Sequence, residues 1–272
     1  MKITQINFSI GQRFGGAPLV VSTLVKGILK RGHEINLICH RIDDDYLQNN
    51  KNVHIELLPE GIFKSLKGLK GTLCDLDTDI IHVHSYNSLN PFITELAIRN
   101  NNIPLIFTPY YHPFGNHPKI LRKMFNITFG IYSFKHADKI IVQTPYEKKM
   151  LKDRISSNKI EILPNPFELK KKEIGEKEIT QFKRRWNLGS KNILFVGRLS
   201  KNKGIDILLR AFKEVRRKYN HISLLIVGKD DNMYRPLNNL KERLDLDQVV
   251  FTGMLSEKDI CIYRLKTIPK FS

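Results

Sequence analysis

The 272-residue sequence has only three cysteines, Cys39, Cys74 and Cys261, widely spaced and odd in number. That count excludes a disulfide framework and a cysteine zinc site, and it reads as buried thiols in a reducing compartment. No run of about eighteen apolar residues occurs, so no transmembrane helix is expected. The opening MKITQINFSIGQRFGG has too short an apolar stretch for a signal peptide and reads as a first strand. A soluble cytoplasmic protein is the expectation. There is no G-x-G-x-x-G, which removes a dinucleotide fingerprint of that form. Zinc knuckles, RNP-like aromatic signatures and a helix-turn-helix pattern are also missing, so nothing singles out nucleic acid. No fixed-period repeat is visible.

Acidic residues become scarce after the first hundred positions. Residues 1–100 hold 11 Lys+Arg against 10 Asp+Glu, whereas residues 101–272 hold 34 against 17. Such asymmetry points to an anionic partner for the later part: a phosphate, an anionic lipid or a nucleic acid. A lysine-rich solvated surface is the plainer explanation of the same numbers.

What the chain does contain is apolar β-branched runs alternating with helical periodicity. Strands are expected at 3–10, 34–40, 52–59, 79–86, 103–110, 138–144 and 159–165. Helices are expected at 18–30, 62–73, 91–100, 119–134 and 146–152. Strands apolar on both faces need helices on both sides, so the pattern predicts a doubly wound parallel sheet. The stretch NPFELKKKEIGEKE is polar and lacks periodicity, so residues 166–178 read as a linker after a first domain at 1–165. A second α/β unit over 179–272 restarts with a helix at 179–186, strands at 192–199, 221–228 and 248–255, and helices at 204–218 and 233–244.

The chemistry concentrates in VGRLSKNKGIDILLRAF, from Val196 to Phe212. An apolar strand ends in Gly197-Arg198, and Lys201, Lys203 and Gly204 follow where a helix begins. Helix N-termini present unpaired N–H groups and a partial positive charge, and Arg and Lys add fixed charge at the same point. The spacing predicts a phosphate site. In DIIHVHSY, His82 and His84 point to the same side of one strand. His84 lies nearer the carboxyl end, where open α/β sheets bind ligands, and reads either as a cleft residue or as a hydrogen-bonded structural histidine. His33 and His136 read as structural. Asp-x-Asp sequences occur at Asp75, Asp77 and Asp79 and again at Asp245-Leu246-Asp247, as chance allows among 27 acidic residues; the first group leads into a strand at its amino end, away from that edge, and no metal is predicted.

With these motifs in order, the chain resembles a family 4 (group 1) glycosyltransferase of the GT-B fold. The matching stretches are Phe14-Gly15-Gly16 before a helix, KRGHEINLI, DIIHVHSY, HADKIIVQT, ILPNPFE, GRLSKNKGIDILLRAF, LLIVGKDD and VVFTGMLSEKD. The resemblance implies two Rossmann-like domains and retaining transfer of a hexose from a nucleoside-diphosphate sugar to a hydroxyl acceptor, a glycolipid or polysaccharide intermediate. It implies that Arg198 and Lys203 hold the donor diphosphate, with Gly15 and Gly16 at the first strand–helix turn, and needs no cofactor or metal. Tyr110, Gly228 and Met254 would border the donor and acceptor cleft. Family members have a cleft histidine after Thr-x in the strand that follows; here Tyr110 stands in its place, and His112, two residues later, is the candidate substitute beside His84.

The resemblance fades after Asp259, short of the segment with spaced glutamates that contacts the donor sugar in the family. A truncated second domain, or half of a split enzyme, is therefore expected. The basic, aromatic segment 119–135 reads either as a core helix or as a peripheral contact with an anionic membrane at the inner face. Two other functions stay open: a non-catalytic nucleotide-sugar binder, and a basic membrane or nucleic-acid binder.

Overall fold

The computed structural model describes residues 1–86, 88–111, 126–167, 175–256 and 259. The chain divides into two compact units, Met1–Leu169 and Lys170–Ser272. In the first, the strands in chain order are β1 (Lys2–Ile6), β2 (Ser9–Gly11), β3 (Glu34–Cys39), β4 (Arg41–Asp43) and β5 (Val53–Leu57). β6 (Ile80–His84), β7 (Leu105–Thr108), β8 (Lys139–Val142) and β9 (Ile160–Ile162) follow. Seven of them form one sheet in the order β5-β3-β1-β6-β7-β8-β9, and every pairing is parallel. The chain winds outward from β1 in one direction, then returns to the centre at β6 and winds the other way. The reversal between β1 and β6 is the switch point at which open α/β sheets form a crevice.

Alternation along each strand sorts its residues onto two faces. Ile6, Ile38, Ile81, Val83, Phe107 and Ile140 pack with Leu69, Leu73, Ile98 and Phe134. On the other face Ile35, Leu37 and Cys39 pack under Val21, Val25 and Leu29 of α1 (Gly16–Leu29). Further helices are α2 (Asp45–Gln48), α3 (Ile62–Cys74), α4 (Asn90–Ile98), α5 (Ile131–His136) and α6 (Pro145–Leu151). A doubly wound parallel sheet is thus the architecture of this unit, as the patterning predicts.

Several details differ from the sequence reading. The run expected as one strand over 3–10 is interrupted at Asn7 and Phe8; there Asn7 Nδ2 donates to Ser9 O at 2.8 Å and its Oδ1 accepts from Ser85 Oγ at 2.9 Å. The extra strand β2 then pairs with β4, close enough that a Cβ on Gly11 would overlap the Asp43 carbonyl, 2.7 Å from its carbon. Of the helix expected at 119–134, residues 119–125 lie outside the described residues, and Asn126–Gly130 form a π-helical turn leading into α5. Finally, Cys39 is buried, but Cys74 is exposed, so only one of these two thiols is a core residue. Burial pushes the Cys39 thiol up to about 12, which leaves it inert. Cys261 lies outside the described residues.

The second unit opens with α7 (Glu176–Arg185), three residues earlier than the pattern suggests, because Glu178 reaches back to accept from Gly175 N at 3.2 Å. Its strands β10 (Lys191–Val196), β11 (Ile222–Val227) and β12 (Val249–Gly253) form a parallel sheet in sequence order, with no reversal among the described residues. Ile179 and Phe182 of α7 cover one face through Leu225 and Val227. α8 (Ile205–Lys218) and α9 (Tyr234–Arg243) cover the other, with Leu209, Phe212, Leu237 and Leu240 against Leu224 and Ile226.

Candidate functional site

Among the described strands of the second unit, β10 and β11 are each followed by a glycine, Gly197 and Gly228, and β12 ends in Gly253; these glycines stitch its carboxyl edge. Gly197 N donates to Val227 O and Gly228 N to Gly253 O, each at 2.9 Å. Gly228 has φ +154°, and a Cβ there would overlap the Gly197 carbonyl, 2.6 Å from its carbon. The two backbones approach at a distance only glycine permits. Beyond them the chain runs through Arg198 and the turn Lys201–Lys203 to Gly204, the N-cap of α8, at φ +62°. No side chain caps this helix, so its first N–H groups are left open toward the loop.

Around that helix start stand Arg198, Lys201 and Lys203, all exposed. Arg198 Nη1 lies 3.7 Å from Asp231 Oδ2, a loose surface contact. Lys201 and Lys203 have no carboxylate partner among the described residues. The sequence-predicted pair, Arg198 and Lys203, is thus brought to one helix terminus together with Gly228, and Met254 follows the last glycine as a 63% exposed side chain. Open N–H donors, a helix dipole and unpaired cations at one point can bind a phosphate or diphosphate.

The first unit gathers its polar side chains at the switch point. His82 and His84 lie on one face of β6, with ring centroids 4.0 Å apart. His82 Nε2 is 2.7 Å from Thr108 Oγ1, and His84 Nε2 is 2.7 Å from Gln5 Oε1. Burial holds the His82 pKa down at about 3. Burial, and then the neighbouring His82, hold that of His84 well below the ordinary histidine range. Both imidazoles are therefore neutral. Tyr110, at φ +47°, stacks toward His84 with ring centroids 6.1 Å apart. Burial, then the charge of Glu147, raises its phenol pKa, so the hydroxyl stays protonated.

Two residues of this edge carry no motif in the sequence. Glu147 is buried, and its carboxylate accepts from Tyr111 N at 2.8 Å and Gln143 N at 2.9 Å, which pins the loop holding Tyr110. Its only sequence signal is its place three residues after the Thr144 N-cap. Gln5 reads as ordinary strand filler until its contact with His84 is seen. Gly15 needs its φ of +112°, but a Cβ there, as at Gly16, would meet nothing within 4 Å, so the space before α1 is open. His112 lies outside the described residues. Asp77 pairs with Lys2 at 3.1 Å and Asp79 accepts from Lys2 N at 2.8 Å, at the sheet edge opposite the histidines. In the membrane-candidate segment, Phe134 is a core residue, and Phe129 and Tyr132 pack on Phe92 at 4.9 and 5.0 Å. Of the described half of that segment, Ser133 and Phe134 are buried, while Phe129 and Ile131 remain 37% and 42% exposed.

Two parallel α/β units with these features are the arrangement of the GT-B glycosyltransferases. The family model for Glycosyltransferase Family 4 matches residues 14–171, and that for Glycosyl transferases group 1 matches 176–267. The chain belongs to glycosyltransferase family 4. It is 29% identical over 215 residues to an uncharacterized glycosyltransferase of Methanocaldococcus jannaschii, covering 75% of this chain and 52% of that protein. It is 25% identical over 272 residues to the alpha-monoglucosyldiacylglycerol synthase of Streptococcus pneumoniae, covering 91% and 60%. Among solved structures, Anabaena HepE in complex with UDP-glucose is similar in fold, with a TM-score of 0.76 at 16% identity, covering 96% of this chain and 71% of that one. The chain spans about half to two thirds of the length of the curated relatives it matches.

Proposed function

We propose that this chain carries the donor and acceptor machinery of a retaining hexosyltransferase, which moves a hexose from a nucleoside-diphosphate sugar to a hydroxyl acceptor. The observation that carries the reading is the uncapped start of α8, with Arg198 and Lys203 beside it and Gly197 packed on Gly228 behind it. In such a reaction the bond between the sugar and the diphosphate breaks, and negative charge grows on the leaving phosphate. Fixed cations and N–H dipoles aimed at that charge stabilise the transition state more than the bound donor, which is what raises the rate. The proposal uses no metal ion. On the first unit, Gly15 and Gly16 leave room for ligand before α1. Neutral His84 offers a hydrogen-bond acceptor and Tyr110 a phenolic donor toward the transferred sugar and its acceptor; His112 is a second candidate.

A lipid-linked acceptor is part of the same proposal, because the Streptococcus pneumoniae relative is named for a glycolipid product. Peripheral contact with an anionic membrane goes with it. No helix among the described residues is long and apolar enough to cross a membrane. The support comes from the outer face of α3, where Phe63 is 88% exposed beside exposed Lys64, Lys67 and Lys70, and the helix has no acidic residue.

The test is incubation with radiolabelled UDP- and GDP-hexoses and a panel of lipid and sugar hydroxyl acceptors. The expected product keeps the anomeric configuration of the donor. Tight donor binding with no transfer to any acceptor would favour a non-catalytic nucleotide-sugar binder. No donor binding at all would refute both readings.

A further inference from the structure

His84 is buried to 1% exposure and makes one hydrogen bond, through Nε2 to Gln5 Oε1. Its other ring nitrogen, Nδ1, is buried with no partner. Both side chains line a cavity of about 170 Å³ on the α1 face of the sheet, together with Tyr110, Gln143 and Asn165. A neutral imidazole has one N–H and one lone pair, and which nitrogen carries the proton is set by the partner of the other.

We propose that Gln5 is the positioning residue of this site: its carbonyl oxygen accepts the proton on His84 Nε2, and so turns Nδ1 into a lone-pair acceptor for a substrate hydroxyl. The alternative tautomer fails twice. With the proton on Nδ1, an N–H donor would be buried without an acceptor, a rarer and costlier defect than an unused lone pair. The Nε2 lone pair would meanwhile face the lone pairs of Gln5 Oε1 at 2.7 Å. Turning the Gln5 amide end for end removes the second conflict but leaves the orphaned donor. Together these effects favour the Nε2–H form by more than about tenfold. Thr108 imposes no such choice on His82, because a hydroxyl can donate or accept. The only other acceptor role open to His84 is then at Nδ1, where a hydroxyl of the transferred hexose or of the acceptor could donate.

This inference rests on the transferase reading for what Nδ1 receives, but not for the tautomer. The experiment is long-range ¹H–¹⁵N spectroscopy on the full chain labelled at histidine, with His84 assigned by the loss of its signals in His84→Asn. The wild type should show a protonated Nε2 and a bare Nδ1. Gln5→Leu should mix or invert that pattern and lower kcat with little change in the donor KM. Gln5→Glu, which keeps an acceptor oxygen, should restore the Nε2–H form. Should Gln5→Leu not fold, Gln5→Met removes the carbonyl at matched length. A proton on Nδ1 in the wild type, or an unchanged tautomer in Gln5→Leu or Gln5→Met, overturns the proposal. The expected tautomer with an Nδ1 signal that ignores every UDP- and GDP-sugar and every hydroxyl acceptor of the panel would overturn the transferase role alone.

Discussion

Replacing Gly228 with alanine perturbs the phosphate loop without touching a charge. The new methyl would overlap the Gly197 carbonyl, 2.6 Å from its carbon and 3.3 Å from Arg198 N. The obstacle is backbone, so no side chain can rotate away; β10 and β11 must separate at their carboxyl ends. Overpacking of this kind costs about 1–3 kcal/mol, and a left-handed φ forced on alanine adds about 1–2 kcal/mol. A total of about 3 kcal/mol, taken from the second unit, is the expectation. Urea denaturation, followed through Trp186 in that unit, should show the midpoint fall. The displaced Gly197–Arg198 segment should also weaken nucleoside-diphosphate binding at urea concentrations where the variant is still folded. Gly71→Ala is the control, since open space surrounds that position and it lies outside the proposed site. A Gly228→Ala protein as stable as the wild type, with unchanged nucleotide affinity, would refute the argument that close backbone approach shapes the site.

Other expectations follow from the first unit. His82 has its folded pKa lowered to about 3 and His84 well below the ordinary value, while the unfolded chain titrates near the ordinary value; stability is therefore full above about pH 6.5 and is lost as pH falls below it. The loss should run at about 1.4 kcal/mol per pH unit for each histidine, and His82→Asn should reduce that slope in pH-dependent denaturation; an unchanged slope would contradict the buried-neutral assignment. Glu147→Ala should cost about 3 kcal/mol, because it strands the N–H groups of Tyr111 and Gln143, and calorimetric unfolding would measure it. Changing Lys64, Lys67 and Lys70 together to glutamine should lower cosedimentation with phosphatidylserine vesicles on the order of a hundredfold at low salt, from about 1 kcal/mol per lysine. Wild-type protein that ignores such vesicles would end the membrane proposal.

Much of this architecture is legible in the sequence because buried parallel strands must be apolar on both faces. The alternation of those runs with amphipathic helices leaves few other solutions. Short elements escape such reading. α2 has four residues, barely one turn and too short for any repeat to show, and is held by the Asp44 cap, which also bonds Ser22 at 2.5 Å and Lys26 at 2.7 Å. The loop from Gly197 to Gly204 is readable because glycine, cations and a helix start have a shared physical purpose. The histidine pair is readable only as a placement, since two-residue spacing fixes the face but says nothing about partners. Gln5 and Glu147 act through contacts 79 and 36 residues away in sequence; no local pattern marks Gln5, and the spacing from Thr144 marks Glu147 only as part of a helix start. Gly11 shows the reverse error: the eye goes to Gly15-Gly16, yet the glycine that close packing demands in that region is the one before them.

The central claim is that the start of α8 holds the diphosphate of a nucleotide-sugar donor. Calorimetric titration of the full chain with UDP- and GDP-sugars tests it most directly, alongside Arg198→Ala and Lys203→Ala. Losing one charged phosphate contact should weaken binding by about 1.5–3 kcal/mol in each variant, roughly ten- to a hundredfold or more, while the unfolding profile stays that of the wild type. Unchanged affinity in both variants would contradict it.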